Sequence, residues 1–250
     1  MAAHIRAGAA GLAAIAAVLV SGSACSAGQA SSPAAAPAPP AAASTASPSA
    51  SAQPPTKAGD LAAAKRALIT AKELGDPWVA VKTVNSVGGK DEACPGKPTT
   101  DATVKPLASA TARFTAGRAK GAGIGVFGVS SYADSADVAT FREALPKVLA
   151  ACASYTDASK MYVVLKTTDG PAIDGADATW QYAERVYYDA KHTKLAYARH
   201  YVIALHGRAV SAVQYAFLTE KSDPNANDFS RTEQMARKQL ANVQAEFSEN

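Results

Sequence analysis

The sequence predicts an α+β fold: a curved antiparallel sheet of about six or seven strands with helices packed on one face. Two observations carry that expectation. Four strand-like runs in the C-terminal half follow one another closely, and the connectors "KHT" and "GR" are of hairpin length, so these strands should pair as antiparallel neighbours. The helical patterns are segregated at the start, the middle and the end of the foldable region, whereas a doubly wound sheet would alternate helix and strand.

The foldable region runs from 60 to 250. "DLAAAKRALITAKEL" opens it with Leu61, Ala64, Leu68 and Ala71 near one helical face and Asp60 as the expected cap. Thr70 and Glu73 have capping-box spacing, so the helix should break and restart there, and Gly75 with Pro77 ends it. "WVAVKTV" (78–84) suits a strand. "TARFTA" (111–116) and "IGVFGVSSYA" (124–133) follow, joined by "GRAKGAG". The glycines from 121 to 128 lack the strand, turn and helix context of a phosphate-binding loop and read as turn and strand glycines.

A helix from about Ala136 to Tyr155, capped by Asp134 or Ser135, places Val138, Phe141, Leu145, Val148, Leu149 and Cys152 on one face, with Pro146 inside it. The later strands are expected at 161–167, 178–190, 194–207 and 209–220. A last helix, 230–247, carries Met235, Leu240, Val243 and Phe247 as its stripe, with Ser230 and Glu233 at capping-box spacing.

What precedes this domain reads as an address and a tether. Residues 1–24 hold one Arg, an apolar run too short to span a bilayer, and the small residues of a cleavage site, the layout of a secretory signal. "SGSAC" is similar to a bacterial lipobox, with Ala24 and Ser23 fitting and Gly22 standing where Leu or Val is usual. Cys25 is therefore the expected lipidation site, and secretion without an anchor is the alternative. Residues 25–59 contain that site and an Ala/Ser/Pro linker. From 26 to 56 the linker has neither charge nor aromatic residue, cannot offset its ordering entropy, and reaches at most about 90 Å. The expected location is the outer face of the cytoplasmic membrane.

The chain has three cysteines and a formal charge of +4. In an exported domain Cys94 and Cys152 read as a disulfide. It closes a loop of about 60 residues, for which the chain-entropy model gives about 4 kcal/mol. Lys and Arg are scattered with no basic stripe, which argues against a nucleic-acid partner.

"ALITAKELGDPWVAV", the "CP" of the next loop, and "SYADSADVATFREALPKVLAACASY" resemble the PknH-like extracellular sensor domains of actinobacteria. Leu149, Cys152 and Tyr155 fall on that family's Leu-x-x-Cys-x-x-aromatic helix ending. The resemblance implies an antiparallel α+β fold with a cleft between sheet and helices and a ligand-sensing role, here in a free lipoprotein form. The kinase version carries a second disulfide; only one pair is available in this chain.

No catalytic motif stands out. His192, His200 and His206 form no metal-ligand spacing; His200 and His206 share a strand face but stand about 20 Å apart. There is no G-x-S-x-G elbow, and the loop holding Asp174 and Asp177 lacks the calcium-binding series. No cofactor is implied. The sheet aromatics are the remaining candidates. Tyr182, Arg185, Tyr187, Tyr197, Arg199 and His200 offer ring faces and donors for an unidentified small molecule or envelope component. Ordinary cross-strand pairing is the plainer account of them. The expectation is a non-catalytic ligand-binding lipoprotein. An envelope hydrolase and a module that docks another envelope protein are the alternatives.

Overall fold

The computed structural model describes residues 54–84, 103–116, 123–157, 159–217 and 228–248. The expectations for residues 1–24, Cys25, most of the linker and Cys94 lie outside them.

In chain order the elements are α1 (Lys57–Arg66), α2 (Ala71–Leu74), β1 (Trp78–Val84), β2 (Ala108–Ala116), β3 (Gly123–Ser131), α3 (Ser135–Ala151), β4 (Ser154–Thr156), β5 (Tyr162–Asp169), β6 (Ala178–Tyr187), β7 (Leu195–His206), β8 (Ala209–Phe217) and α4 (Ser230–Phe247). All strands join one sheet in the order β1-β2-β3-β8-β7-β6-β5-β4, and every neighbouring pair is antiparallel. The sheet thus has eight strands rather than six or seven. The extra one is β4, a part of the sequence that reads as helix. The helix stops at Cys152, whose backbone (φ −100, ψ 20) leaves the helical region, and Tyr155 then pairs with Val163 on the edge of β5.

The helices cover both faces, not one. On β7, Val202 and Ala204 belong to one core, while Ile203 and Leu205 belong to another. Successive side chains of a strand point to opposite faces, so these are two layers separated by the sheet. The first layer holds α1 and α4. Ala110 and Ala112 of β2 face Ala63, Ala64 and Ala67, and these small side chains let helix and sheet approach closely. Gly123 and Gly125 serve the same layer: a Cβ at Gly123 would meet the Tyr215 ring at 2.4 Å, and one at Gly125 the Phe127 ring at 2.7 Å. The second layer is α3, whose Val138, Phe141, Leu145 and Leu149 pack on Ile203, Leu205 and Val210. One strip of apolar positions could not cover both faces of a sheet whose central strands are buried on each side, and α3 crosses from β3 to the far edge to cover the second.

Four caps test the local reading. Asp134 accepts from the Ala136 and Asp137 amides and starts α3, and Thr70 and Glu73 form the capping box that restarts the chain at α2. Asp60 is not the cap of α1; Thr56 is, accepting from the Gly59 amide at 3.1 Å. Asp60 is instead buried and forms an ion pair with Arg208 in the β7–β8 turn. At α4 the second capping box is absent. Phe229 precedes the helix without a side-chain cap, and Glu233 accepts from Gln181 instead. Within the first layer Gln239 ties α4 to the segment after α1: its Oε1 accepts from the Ile69 amide at 2.8 Å. Among the described residues no helix is long and apolar enough to cross a membrane.

Candidate functional site

The alternation of β6 and β7 sorts the six sequence candidates. Tyr182 stands opposite Tyr201, Glu184 opposite Arg199, and Val186 opposite Tyr197, all on the α3 face. Arg185 and His200 lie on the α4 face, as does Tyr187 beside Tyr162. The candidates therefore do not form one surface.

On the α3 face, Tyr197 and Arg199 join a network centred on Glu184, which is 3% exposed. Arg199 Nη1 donates to Glu184 Oε2 at 3.1 Å, Tyr201 donates to the same oxygen at 2.9 Å, and Tyr155 donates to Oε1 at 3.0 Å. Arg199 Nη2 donates to the Tyr197 hydroxyl, and Tyr182 stacks on Tyr201 at 4.3 Å between ring centres. Burial, reinforced by the Glu184 charge, raises the Tyr155 and Tyr201 hydroxyls well above the ordinary tyrosine value, so both remain donors. For Arg199, burial alone would favour the neutral form, but Tyr201 and Glu184 outweigh it and the guanidinium stays charged. With both oxygens occupied, the Glu184 carboxylate is a weak candidate for a general base. Beside the network, α3 and strands β5 and β6 enclose a recess of about 220 Å³ lined by Pro146, Leu149, Leu165, Thr167 and Trp180.

On the opposite face, His200 is fully buried, stacked on Phe229 at 4.1 Å and edge-on to Phe217 at 4.9 Å. It is a core side chain in this layer. Tyr187 and Tyr162 each stack on His192, at 4.7 and 4.8 Å. His206 Nδ1 lies 2.8 Å from the Gly175 carbonyl, while Asp177 accepts from the Gly207 amide. The loop of Asp174 and Asp177 is therefore a turn pinned to the β7–β8 hairpin.

Near His200, between the start of α4 and strands β5 and β6, lies an open groove of about 570 Å³. Its polar lining is Lys166, Thr168, Gln181, Asp228, Ser230 and Glu233. Gln181, 7% exposed, accepts from Thr168 at 3.2 Å and donates to Glu233 Oε1 at 3.0 Å. The Ser230 amide and side chain hold the Asp228 carboxyl below the usual carboxylate range. The groove thus gathers an amide and a carboxylate that hold each other, a second carboxylate just before α4, and an exposed ammonium on β5.

Sequence reasoning missed Glu184, Tyr155, Gln181 and Glu233. Glu184 had a signal: it is the lone carboxylate in the alternating set Trp180, Tyr182, Glu184, Val186. Gln181 and Glu233 had none, because they meet only through the α4 packing. Among the described residues no group of three His, Cys, Asp or Glu converges as a metal site.

No protein-family model matches the chain, and no curated protein does. Among solved structures, the extracellular domain of PknH from Mycobacterium tuberculosis is similar, with a TM-score of 0.54 at 11% identity, covering 74% of this chain and 96% of that one. A putative uncharacterized protein from Mycobacterium smegmatis gives a TM-score of 0.37 at 13% identity, over 68% of this chain and 90% of that one. The first likeness shows that the chain has the fold of that extracellular domain.

Proposed function

We propose that this chain is an exported, lipid-anchored protein whose domain binds a small polar ligand outside the cell without transforming it. The observation that carries the binding reading is the groove at the start of α4. Gln181 lies on β6 and Glu233 on α4, and Gln181 is held in place from both sides, by Thr168 and by Glu233. The fold of the PknH extracellular domain supports an extracytoplasmic setting. The non-catalytic reading is supported by Glu184, whose oxygens are both engaged by fixed donors.

Anchoring rests on Cys25, which follows an apolar run at lipobox distance and precedes a charge-free spacer. The Cys94–Cys152 disulfide belongs to the same proposal. Cys152 is 3% exposed and is not free, and in the sequence Cys25 precedes the Ala/Ser/Pro linker.

Two measurements test the proposal. Mass spectrometry of detergent-extracted protein from the exporting cell should find a mature N-terminus at Cys25 carrying acyl mass. A start at Cys25 without that mass leaves a secreted protein. Native mass spectrometry of the same material should find a co-purified small molecule that the Gln181→Leu variant no longer retains. Equal retention by wild type and variant would remove the groove from the proposal.

A further inference from the structure

The four strands β1, β2, β3 and β8 contain no acidic residue, and their only charges are Lys82 and Arg113. Those two stand opposite each other in register. Arg113 is half-buried, and its Nε is shielded from solvent with no hydrogen-bond partner. A guanidinium N–H removed from water without an acceptor is costly.

The register places apolar side chains beside this cation. Arg113 continues across the sheet to Val126 and then Gln214. Two residues along, the adjacent row on the same face reads Val79, Thr115, Ile124, Ala216. Val79 is 63% exposed, and Val81, the extra residue of the β1 bulge, is 55% exposed. Thr115, Ile124, Val126 and Ala216 are half-buried. This is the α3 side of the sheet, but among the described residues α3 packs on the other part of it, around Ile203, Leu205 and Val210. The row crosses four strands, roughly 14 Å at the usual strand spacing.

We propose that this part of the sheet, on which no described helix packs, binds a long-chain carboxylate. The head group lies against Arg113, and the alkyl chain lies along the Val79–Thr115–Ile124–Ala216 row. Charge complementarity selects the head: a guanidinium presents paired N–H donors that match a carboxylate, and no acid on these strands competes for them. The exposed valines select an apolar tail. This site is separate from the groove at α4, so either can fail alone.

The test uses the full-length chain made without export, so that it carries no acyl groups, and titrates sodium palmitate below its critical micelle concentration by calorimetry. Dodecyltrimethylammonium is the control of opposite charge. Wild type should bind palmitate saturably at one site and dodecyltrimethylammonium much more weakly. Arg113→Met should weaken palmitate about tenfold to a hundredfold. Val79→Ser, at an exposed position that the fold tolerates, should weaken it several-fold. Amide exchange should slow in β1, β2 and β3 when palmitate is bound. Absence of saturable palmitate binding, equal binding of the cationic amphiphile, or unchanged affinity in both variants would overturn the proposal. Should Arg113→Met fail to fold, the Val79→Ser affinity and the exchange map decide.

Discussion

Replacing Arg199 by Met tests whether Glu184 is a desolvated charge held by its partners. The side chains are 15% and 4% exposed, and the pair is 3.1 Å apart. At an effective dielectric of about 20, two unit charges at that distance attract by about 5 kcal/mol. Removing one member of a buried pair costs about 3–5 kcal/mol, because the other charge stays buried. Tyr155 and Tyr201 still donate to Glu184 in the variant, which places the expected cost near the lower bound, about 3 kcal/mol. For a domain of this size that is a fall in Tm of about 6–12 °C. Urea unfolding followed by far-UV circular dichroism measures it, with an unchanged m-value as the check that two-state behaviour holds. The quadruple variant Glu184→Met, Arg199→Met, Tyr155→Phe, Tyr201→Phe removes both charges and the two hydroxyls that would lose their acceptor, and it should recover most of the loss. A cost below about 1 kcal/mol for Arg199→Met, the range of exposed pairs, would refute the reasoning.

The remaining predictions concern titration, sterics and covalent links. The raised hydroxyls of Tyr155 and Tyr201 stabilise the fold below the unfolded tyrosine value near 10 and lose that contribution as pH rises toward their folded values. Stability should thus fall above about pH 10, and Tyr155→Phe should flatten the slope in alkaline melts. Glu73 is held below the usual range: burial alone would raise it, but hydrogen bonds from Thr70 and Asn242 and the charge of Lys238 outweigh burial. Its contribution is full above the unfolded value near 4.3 and is lost as pH falls through the lower folded value. Thr70→Ala should cost about 1 kcal/mol at neutral pH and weaken that acid dependence. At Gly170 an added Cβ would lie 2.3 Å from the Thr179 carbonyl oxygen, so Gly170→Ala should destabilise by about 1–3 kcal/mol in the same urea assay. Non-reducing peptide mapping should recover Cys94 and Cys152 in one linked fragment; two free thiols would remove that bond.

The strands from Ala178 onward were legible because their connectors are hairpin-short and their faces alternate. Helix α4 was legible over its full length because its stripe is strict. The second helical layer was not. The apolar face of α3 is plain in the sequence, but periodicity does not say which side of a sheet a helix will cover. β4 was hidden for a related reason: Leu149, Cys152 and Tyr155 keep helical spacing past the point where the backbone leaves the helix. The candidate site was legible only within strands. Tyr197 and Arg199 were found because alternation places them together, whereas His200 looked equally available until Phe217 and Phe229 closed around it. Cross-layer partners such as Gln181 with Glu233, or Asp60 with Arg208, are set by packing between segments far apart in the chain, and no local pattern encodes them.

The Asp60–Arg208 pair has a mechanical consequence. Residues leading into Lys57 deliver the chain to α1, and Asp60 clamps that helix to the turn between β7 and β8, beside the Phe247 ring under the guanidinium. Those two strands lie in the interior of the sheet order. Tension arriving from the N-terminal side is therefore shared with interior strands, each bonded to a neighbour on both sides, before it can peel the end strands of the sheet order, β1 and β4. A load entering at Lys57 meets the middle of the sheet first, and a strand at its rim is not the first thing to give.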